Sequence, residues 1–154
     1  MNESFRTRGG LWVIGQSVLM LAVLALGVAY RGEWDGATSL ATGTFLGLAG
    51  AWLGICGARA LGEHRTAFPK PQTGSKLVQN GVYGIVRHPL YASVILLSAA
   101  WSLLWRSGPA FAATALLVVF LDAKARREER WLRTSFEGYA AYAKRVRRLI
   151  PWIY

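Results

Sequence analysis

The hydrophobic residues of this chain fall into four long blocks separated by shorter polar stretches. Leu11 to Tyr30 contains Gln16 as its only strongly polar residue, and residues 37–61 contain one charged residue, Arg59. A helix of about 20 residues spans roughly 30 Å, the thickness of the hydrocarbon core of a bilayer. The apolar residues are continuous rather than periodic, so the pattern predicts membrane-spanning helices over approximately 11–30 and 37–61.

The third and fourth blocks are shorter and are joined by a turn. Residues 89–105 carry no charge until Arg106, and the apolar run of 109–123 is broken by Asp122. Between them, Ser-Gly-Pro predicts a tight turn, so the two blocks should form an antiparallel helical hairpin. The fourth block covers only roughly 20 Å before its first charge. It therefore either continues through its basic end, with side chains reaching the interface, or stops short of full depth.

The positive charges predict the orientation of these helices. Of the 18 lysines and arginines, all but Arg31 and Arg106 lie at the start, between the second and third blocks, or after the fourth. By the positive-inside rule both termini are cytoplasmic. We therefore predict an all-α, polytopic integral membrane protein, a single domain of residues 1–154 with four transmembrane helices. A signal peptide is the alternative interpretation of the first block, since Arg6 and Arg8 precede it.

The composition of the chain indicates its environment and the class of its binding partners. The chain is 53% hydrophobic and 17% charged, with a net charge of +10. In a membrane protein such a charge reflects topology and attraction to anionic lipids, so we expect membrane lipids rather than nucleic acid as partners. The arginine-, alanine- and glycine-rich composition favours a bacterial inner membrane. Cys56 has no second cysteine to pair with, and His64 and His88 lack metal-ligand spacing, so no metal site is predicted.

Two cytoplasmic segments, 62–91 and 124–151, are the candidates for function. The first contains three prolines and mixed charges, and a long loop of this kind is usually functional or disordered. Within it, Asn80 and Gly81 predict a turn, and Pro89 suits the first turn of the third helix. In the second segment, apolar residues recur at helical spacing among many arginines. That pattern predicts an amphipathic basic helix or helix pair on the cytoplasmic interface, broken near Gly138.

Six polar or aromatic residues flank the predicted hairpin on its cytoplasmic side. They are Tyr83, Arg87, His88, Tyr91, Glu128 and Glu129. Because an antiparallel hairpin returns its two outer ends to the same face, the six should lie close together. Arginine and histidine donate to a carboxylate, tyrosine provides a ring and a hydroxyl, and glutamate accepts from ribose hydroxyls or binds an ammonium. The group suits a small zwitterionic ligand.

A purely structural interpretation of the same residues is also open. Arg87 and His88 would then bind lipid phosphates, and the two tyrosines would belong to an aromatic belt at the interface. The glutamates would pair along their own helix with Lys124 or Arg133.

The stretch LVQNGVYGIVRHPLYAS, followed by REERWLRTSFEGYAAYAKRVRRLIP, resembles a known family signature. The pattern is Gly-x-Tyr, Arg-His-Pro-x-Tyr, a Glu-Glu pair, Phe, Tyr-x-x-Tyr and a closing Ile-Pro. It is similar to the C-terminal region of the isoprenylcysteine carboxyl methyltransferase family, whose relatives include membrane phospholipid methyltransferases. The resemblance covers roughly Leu61 to Pro151.

The resemblance implies S-adenosylmethionine-dependent methyl transfer to a lipophilic acceptor at the cytoplasmic interface. The cofactor-binding residues it implies, with Glu129 added beside Glu128, are Ser75, Lys76, Leu77, Val78, Tyr83, His88, Pro89, Leu90, Tyr91, Glu128 and Glu129. Arg87 and His88 are expected to orient the reaction, with Lys124 on the substrate side. Lys124 replaces the family's arginine, and Ser93 replaces a glycine. Arg126 and Arg127 are candidates to attract an acidic or phosphate-bearing acceptor.

Two other function classes stay open from the sequence. Membrane reductases of the sterol type share a similar Arg-His-Pro arrangement and use NADPH. A non-catalytic lipid-binding or scaffold protein would use the polar cluster only as an anchor. Within the methyltransferase interpretation, the residues leave open a carboxylate, an amine, a phenol or a thiol as the acceptor group.

Overall fold

The computed structural model describes residues 5, 7–62, 66–70, 74 and 76–154. Within these ranges the chain forms five α-helices, a 3-10 turn and no strand. The helices are α1 (Gly10–Ala29), α2 (Gly36–Leu61), α3 (Pro89–Leu104), α4 (Gly108–Ser135) and α5 (Tyr139–Arg145), and the 3-10 turn is Gly81–Gly84. The all-α prediction is confirmed for this part of the chain.

Three of these helices are long and apolar enough to cross a membrane. They are α1, α2 and α4, judged by length and composition. Helix α3 is apolar but has 16 residues, about 24 Å of helix, so the count of four spans stays a prediction. Helix α4 is longer than the apolar run that predicted it, because its 28 residues continue through the basic end to Ser135.

Helix α3 lies between α2 and α4, and α1 packs along α4 and also contacts α3. The α2–α3 contact is close because glycines of α2 line it, and small side chains let two helices approach closely. Ser93 Oγ donates a hydrogen bond to the Gly50 carbonyl oxygen at 2.7 Å. The serine that replaces the family's glycine is therefore accommodated by a polar contact between the two helices.

Substitution of Gly50 by alanine is expected to weaken this contact. A Cβ at Gly50 would lie 3.0 Å from Leu96 Cβ and 3.2 Å from Leu97 N, whereas one at Gly47 would meet only Ala100 Cβ at 3.6 Å. Overpacking of this kind costs about 1–3 kcal/mol, so thermal unfolding in detergent should occur at a lower temperature for Gly50→Ala. Gly47→Ala is the matched control and should unfold at the wild-type temperature or slightly higher. Equal midpoints for both variants would contradict the prediction.

The turn between α3 and α4 is held by side-chain and backbone hydrogen bonds, which confirms the predicted turn. Ser107 Oγ accepts from Ala110 N at 3.3 Å and donates to the Leu26 carbonyl at 3.0 Å. Gly32 N donates to the Arg106 carbonyl at 3.0 Å. This end of α1, α3 and α4 is therefore fixed, and the polar residues gather at the opposite end.

The C-terminal segment folds back onto the start of α3. Arg87 N donates to the Arg147 carbonyl at 2.8 Å, and His88 N donates to the Arg148 carbonyl at 3.1 Å. Pro89 is the first residue of α3, as predicted, and α5 begins directly after Gly138. The tail differs from the predicted interfacial helix, because α5 has only seven residues and packs against the polar cluster.

Candidate active site

The carboxylate of Glu129, on α4, is buried and contacts three side chains, those of Arg87, His88 and Arg148. Glu129 is 4% exposed. Its Oε1 accepts from Arg87 Nε at 3.0 Å, from Arg87 Nη2 at 2.7 Å and from Arg148 Nε at 3.0 Å. Arg148 Nη2 donates to Oε2 at 3.2 Å, and His88 Nε2 lies 3.3 Å from Oε1. These charge-assisted contacts offset the cost of burying the carboxylate. We name these four residues the Glu129 cluster.

The guanidinium of Arg87 is engaged entirely with the protein. Besides the two bonds to Glu129, its Nη1 donates to the carbonyl oxygens of Ala143, at 3.0 Å, and Val146. Every nitrogen of the group therefore has an acceptor. In this arrangement Arg87 anchors the C-terminal segment to α4, and its predicted catalytic role stays a prediction.

The other predicted glutamate, Glu128, has a different environment. Its carboxylate Oε2 accepts from Tyr91 Oη at 2.6 Å and lies 3.8 Å from His88 Nδ1. The His88 and Tyr91 rings stack with centroids 5.3 Å apart and planes 3° apart. The Glu128 side chain is 24% exposed, against 5% for Glu129. Glu128 therefore keeps acceptor capacity for a ligand, and Glu129 does not.

A cleft opens in front of Glu128. Its walls come from the end of α2 and the loop after it, residues 76–78, the 3-10 turn, the start of α3, the end of α4 and α5. The lining residues are Leu61, Thr66, Phe68, Lys76, Leu77, Val78, Tyr83, Arg87, His88, Leu90, Tyr91, Glu128, Leu132, Phe136, Tyr139 and Tyr142. Most of the predicted site residues therefore meet in one place.

The cavity in this cleft measures about 120 Å³. Small-molecule sites usually measure roughly 300–1,000 Å³, so a nucleoside-sized ligand has to widen it. Thr66, Phe68 and residues 76–78 form the part of the wall that comes from the segment between α2 and the 3-10 turn and belongs to no helix. Since loop segments open at less cost than packed helices, this wall is the one that we expect to move.

Three predicted residues of the described part of the chain do not line this cleft. Pro89 begins α3 and faces Gly57 of α2, where an added Cβ would lie 3.3 Å from Pro89 Cγ. Glu129 lies behind the cleft in its cluster, and Ser75 lies outside the described residues. Lys124 is buried beside the cleft: its Nζ donates to Gln16 Oε1 at 2.6 Å and to the Ala67 carbonyl at 3.0 Å, and lies 5.1 Å from the Tyr91 ring centroid. Lys124 thus joins α4 to α1 and to the loop after α2.

Several lining residues were not predicted as site residues. Leu132 and Phe136 follow Glu128 at intervals of four; Leu132 shares its helix face, and Phe136 comes directly after the last residue of α4. The same spacing in the sequence also predicts an amphipathic helix on the membrane surface, so it does not by itself identify a cleft. Arg148 carried no such signal, because it is one of nine cations that follow Leu121.

The tyrosines of the cleft are neutral hydroxyls. Burial raises the pKa of Tyr83 and of Tyr139 well above the usual range, and raises the pKa of Tyr142 to about 12. Tyr142 Oη donates to the Tyr83 carbonyl at 2.6 Å. Tyr139 Oη is buried and has no hydrogen-bond partner among the described residues. The cleft therefore combines one carboxylate with neutral hydroxyls and apolar walls.

A second, apolar cavity of about 480 Å³ lies on the opposite face of residues 85–92. It is bounded by α2, α3, α4 and the last residues of the chain, and its only ionisable lining residues are Asp122 and Tyr154. Tyr154 Oη donates to Asp122 Oδ1 at 3.0 Å, and Arg148 Nη1 donates to the same oxygen at 3.1 Å. Since Arg148 also binds Glu129, the Glu129 cluster stands between this cavity and the cleft.

Comparison with known proteins identifies the family. A family model described as "Phospholipid methyltransferase" matches residues 38–138, about two thirds of the chain. The chain belongs to this family. Isoprenylcysteine carboxyl methyltransferase-like membrane enzymes are part of the phospholipid methyltransferase family, so the resemblance found in the sequence is confirmed. The matched range contains α3, α4 and every member of the Glu129 cluster except Arg148.

Two curated relatives are similar over different lengths. A Delta(14)-sterol reductase of Mus musculus is 34% identical over 86 residues, which cover 53% of this chain and 21% of the relative. The cobalt-zinc-cadmium resistance protein CzcN of Cupriavidus metallidurans is 28% identical over 147 residues, covering 95% of this chain and 64% of the relative. The chain thus spans about a fifth of the length of the first relative and less than two thirds of the second.

Proposed function

We propose that this member of the phospholipid methyltransferase family is an integral-membrane methyltransferase that uses S-adenosylmethionine and methylates a lipophilic acceptor at the cytoplasmic interface. The observation that carries the proposal is the carboxylate of Glu128, which Tyr91 and His88 hold at the mouth of a cleft beside apolar helices. A water-soluble donor reaches such a cleft from the cytoplasm, and a lipophilic acceptor reaches it from the bilayer.

The residues of the cleft fit this donor chemically. When bound, S-adenosylmethionine supplies an activated methyl group on a sulfonium cation. Glu128 offers acceptor oxygens for ribose hydroxyls or for the ammonium, and the exposed Lys76 offers a cation for the carboxylate. The Tyr91 ring is a suitable neighbour for a sulfonium, since aromatic faces attract cations.

Methyl transfer from such a donor needs position more than acid or base strength. The stacked rings of His88 and Tyr91 present a rigid wall, and the Glu129 cluster holds His88 from behind. Leu132 and Phe136 add apolar surface that excludes water from the cleft. Orientation and water exclusion are the two contributions that these residues can make.

The acceptor is expected to approach on the side of Lys124. This lysine links α4 with Gln16 of α1 and with Ala67, and it lies next to Tyr91. An acceptor arriving between α1 and α4 therefore meets a buried cation before it meets the cleft.

A reductase that binds NADPH is the second candidate, favoured by the similarity to the Delta(14)-sterol reductase. NADPH carries several phosphates, which proteins bind with arginine, lysine and helix N-termini. In the described lining of the cleft, the guanidinium of Arg87 is occupied by Glu129 and by carbonyl oxygens. The carboxylate of Glu128 would also repel phosphate. The lining therefore favours the methyl donor.

Isothermal titration of the detergent-solubilised protein with each cofactor tests the proposal. We expect binding of S-adenosylmethionine and of S-adenosylhomocysteine, and no binding of NADPH. Incubation with methyl-labelled S-adenosylmethionine and a bacterial lipid extract should then transfer the label to a lipid-soluble product. Binding of NADPH without S-adenosylmethionine would refute the proposal in favour of the reductase.

A further inference from the structure

The hydroxyl of Tyr139 is a buried polar group of the cleft without a hydrogen-bond partner among the described residues, which indicates that a ligand provides one. Tyr139 is 1% exposed and lines the cleft. Among the buried side-chain nitrogens and oxygens of the described residues, only its Oη has no hydrogen-bond partner. Buried polar groups are almost always paired, because an unpaired one loses its hydration without compensation.

The neighbouring Tyr142 shows that the lack of a hydrogen-bond partner is specific to the Tyr139 hydroxyl. The two rings meet edge to face, with centroids 5.8 Å apart and planes 73° apart. Tyr142 Oη nevertheless donates to the Tyr83 carbonyl at 2.6 Å. The same short helix therefore carries one hydroxyl that completes the fold and one that the fold leaves unused.

The surroundings of Tyr139 indicate the chemistry of the partner. Two cations lie near Tyr139. Arg87 has every nitrogen bound to Glu129, Ala143 or Val146, and the guanidinium of the exposed Arg133 lies 5.8 Å from the centroid of the Tyr139 ring. A buried ionised ligand group would therefore find the guanidinium of Arg87 already engaged, which makes its burial costly. Leu132 and Phe136 line the same cleft with apolar surface. A flat, neutral heterocycle with nitrogen donors and acceptors suits both the walls and the neutral hydroxyl.

We infer that Tyr139 Oη forms a hydrogen bond with the adenine of bound S-adenosylmethionine. The inference rests on the proposed function and adds to it a residue that recognises the adenine base of the donor. The sulfonium end then lies toward Tyr91 and Lys124, on the side of the acceptor, and the base lies toward α5. Tyr139 is in this sense a specificity residue for the donor.

The test compares Tyr139→Phe with wild type for two ligands, by titration in detergent. S-adenosylmethionine contains both the adenosine and the amino-acid parts, whereas 5′-methylthioadenosine lacks the amino-acid part. Loss of one hydrogen bond should weaken binding of both ligands by the same factor, roughly tenfold. Without ligand, Tyr139→Phe should unfold at the wild-type temperature or higher, since the variant removes an unpaired buried group.

Tyr142→Phe is the matched control. It removes the same atom from a tyrosine one turn away, and it leaves the Tyr83 carbonyl without its donor. We therefore expect this variant to unfold at a lower temperature than wild type. Opposite effects on stability from the two substitutions distinguish a ligand-binding hydroxyl from a structural one.

Three results would overturn the inference. Wild type that binds both ligands while Tyr139→Phe binds them equally well refutes the role of Tyr139 alone. A loss confined to S-adenosylmethionine would assign the hydroxyl to the amino-acid part instead of the base. If wild type binds neither ligand, the proposed function itself fails.

Discussion

Replacement of Glu129 by alanine is expected to lower the free energy of unfolding by roughly 3–5 kcal/mol, the usual cost of removing one partner of a buried ionic group. The substitution leaves two partly buried cations, Arg87 and Arg148, without the carboxylate that they share. It also removes one of the contacts that tie α4 to the C-terminal segment and leaves those of Arg148 and Tyr154 with Asp122 in place. Denaturation of the protein in mixed micelles, followed by circular dichroism, measures the loss.

Glu137→Ala is the control for this experiment. Glu137 is an exposed acidic residue near the end of α4, and such surface changes usually alter stability by less than about 0.5 kcal/mol. Equal stabilities of the Glu129 and Glu137 variants would show that the cluster does not hold the fold together. Glu129→Gln keeps the shape and removes the charge, so its stability should lie between those of the alanine variant and wild type.

Replacement of Glu128 by alanine is expected to affect mainly the affinity for S-adenosylmethionine, whereas replacement of Glu129 affects mainly the free energy of unfolding. Affinity for S-adenosylmethionine should fall roughly 10- to 100-fold, because hydrogen bonds to a charged group contribute about 1.5–3 kcal/mol. The free energy of unfolding should fall less than in Glu129→Ala, because the Glu128 side chain is 24% exposed and its close hydrogen bond is a single one, from Tyr91. Titration calorimetry and thermal unfolding of the same preparation give both quantities.

The interpretation of the protein as a scaffold predicts a different result for this variant. A polar cluster that only anchors lipid headgroups has no cofactor to lose. If wild type binds S-adenosylmethionine and the folded Glu128→Ala variant binds it with the same affinity, Glu128 is not part of the site. Tyr91→Phe provides a second measurement, because it removes the hydroxyl that orients the carboxylate and should weaken binding less than Glu128→Ala.

The helices were predictable because their signal is local. Apolar blocks of sufficient length, a Ser-Gly-Pro turn and a proline at the first position of α3 each determine structure within a few residues. The hairpin then brought the Arg87 region and the glutamates to one side. The extent of α4 was less predictable, because its basic end is stabilised by long-range contacts such as that between Lys124 and Gln16.

Which of the two glutamates is buried and which lines the cleft could not be predicted from the sequence. Successive residues of a helix point about 100° apart, so Glu128 and Glu129 must face different surroundings. The sequence does not say which one is covered, since the cover is the C-terminal segment more than ten residues away. Arg148 supplies that cover and a second cation, and nothing in the local sequence separates it from the arginines beside it.

The pairing of residues 86–88 with 147–148 also determines when the cleft can form during synthesis. The apolar helices can insert into the membrane while the ribosome is still translating the chain, since domains and helices form in order from the N-terminus. Arg148 follows α1 to α4 along the chain, so it leaves the ribosome after all four helices, and without it the Glu129 cluster is incomplete. The apolar helices can therefore enter the membrane before the contacts that hold the C-terminal segment against the start of α3 have formed.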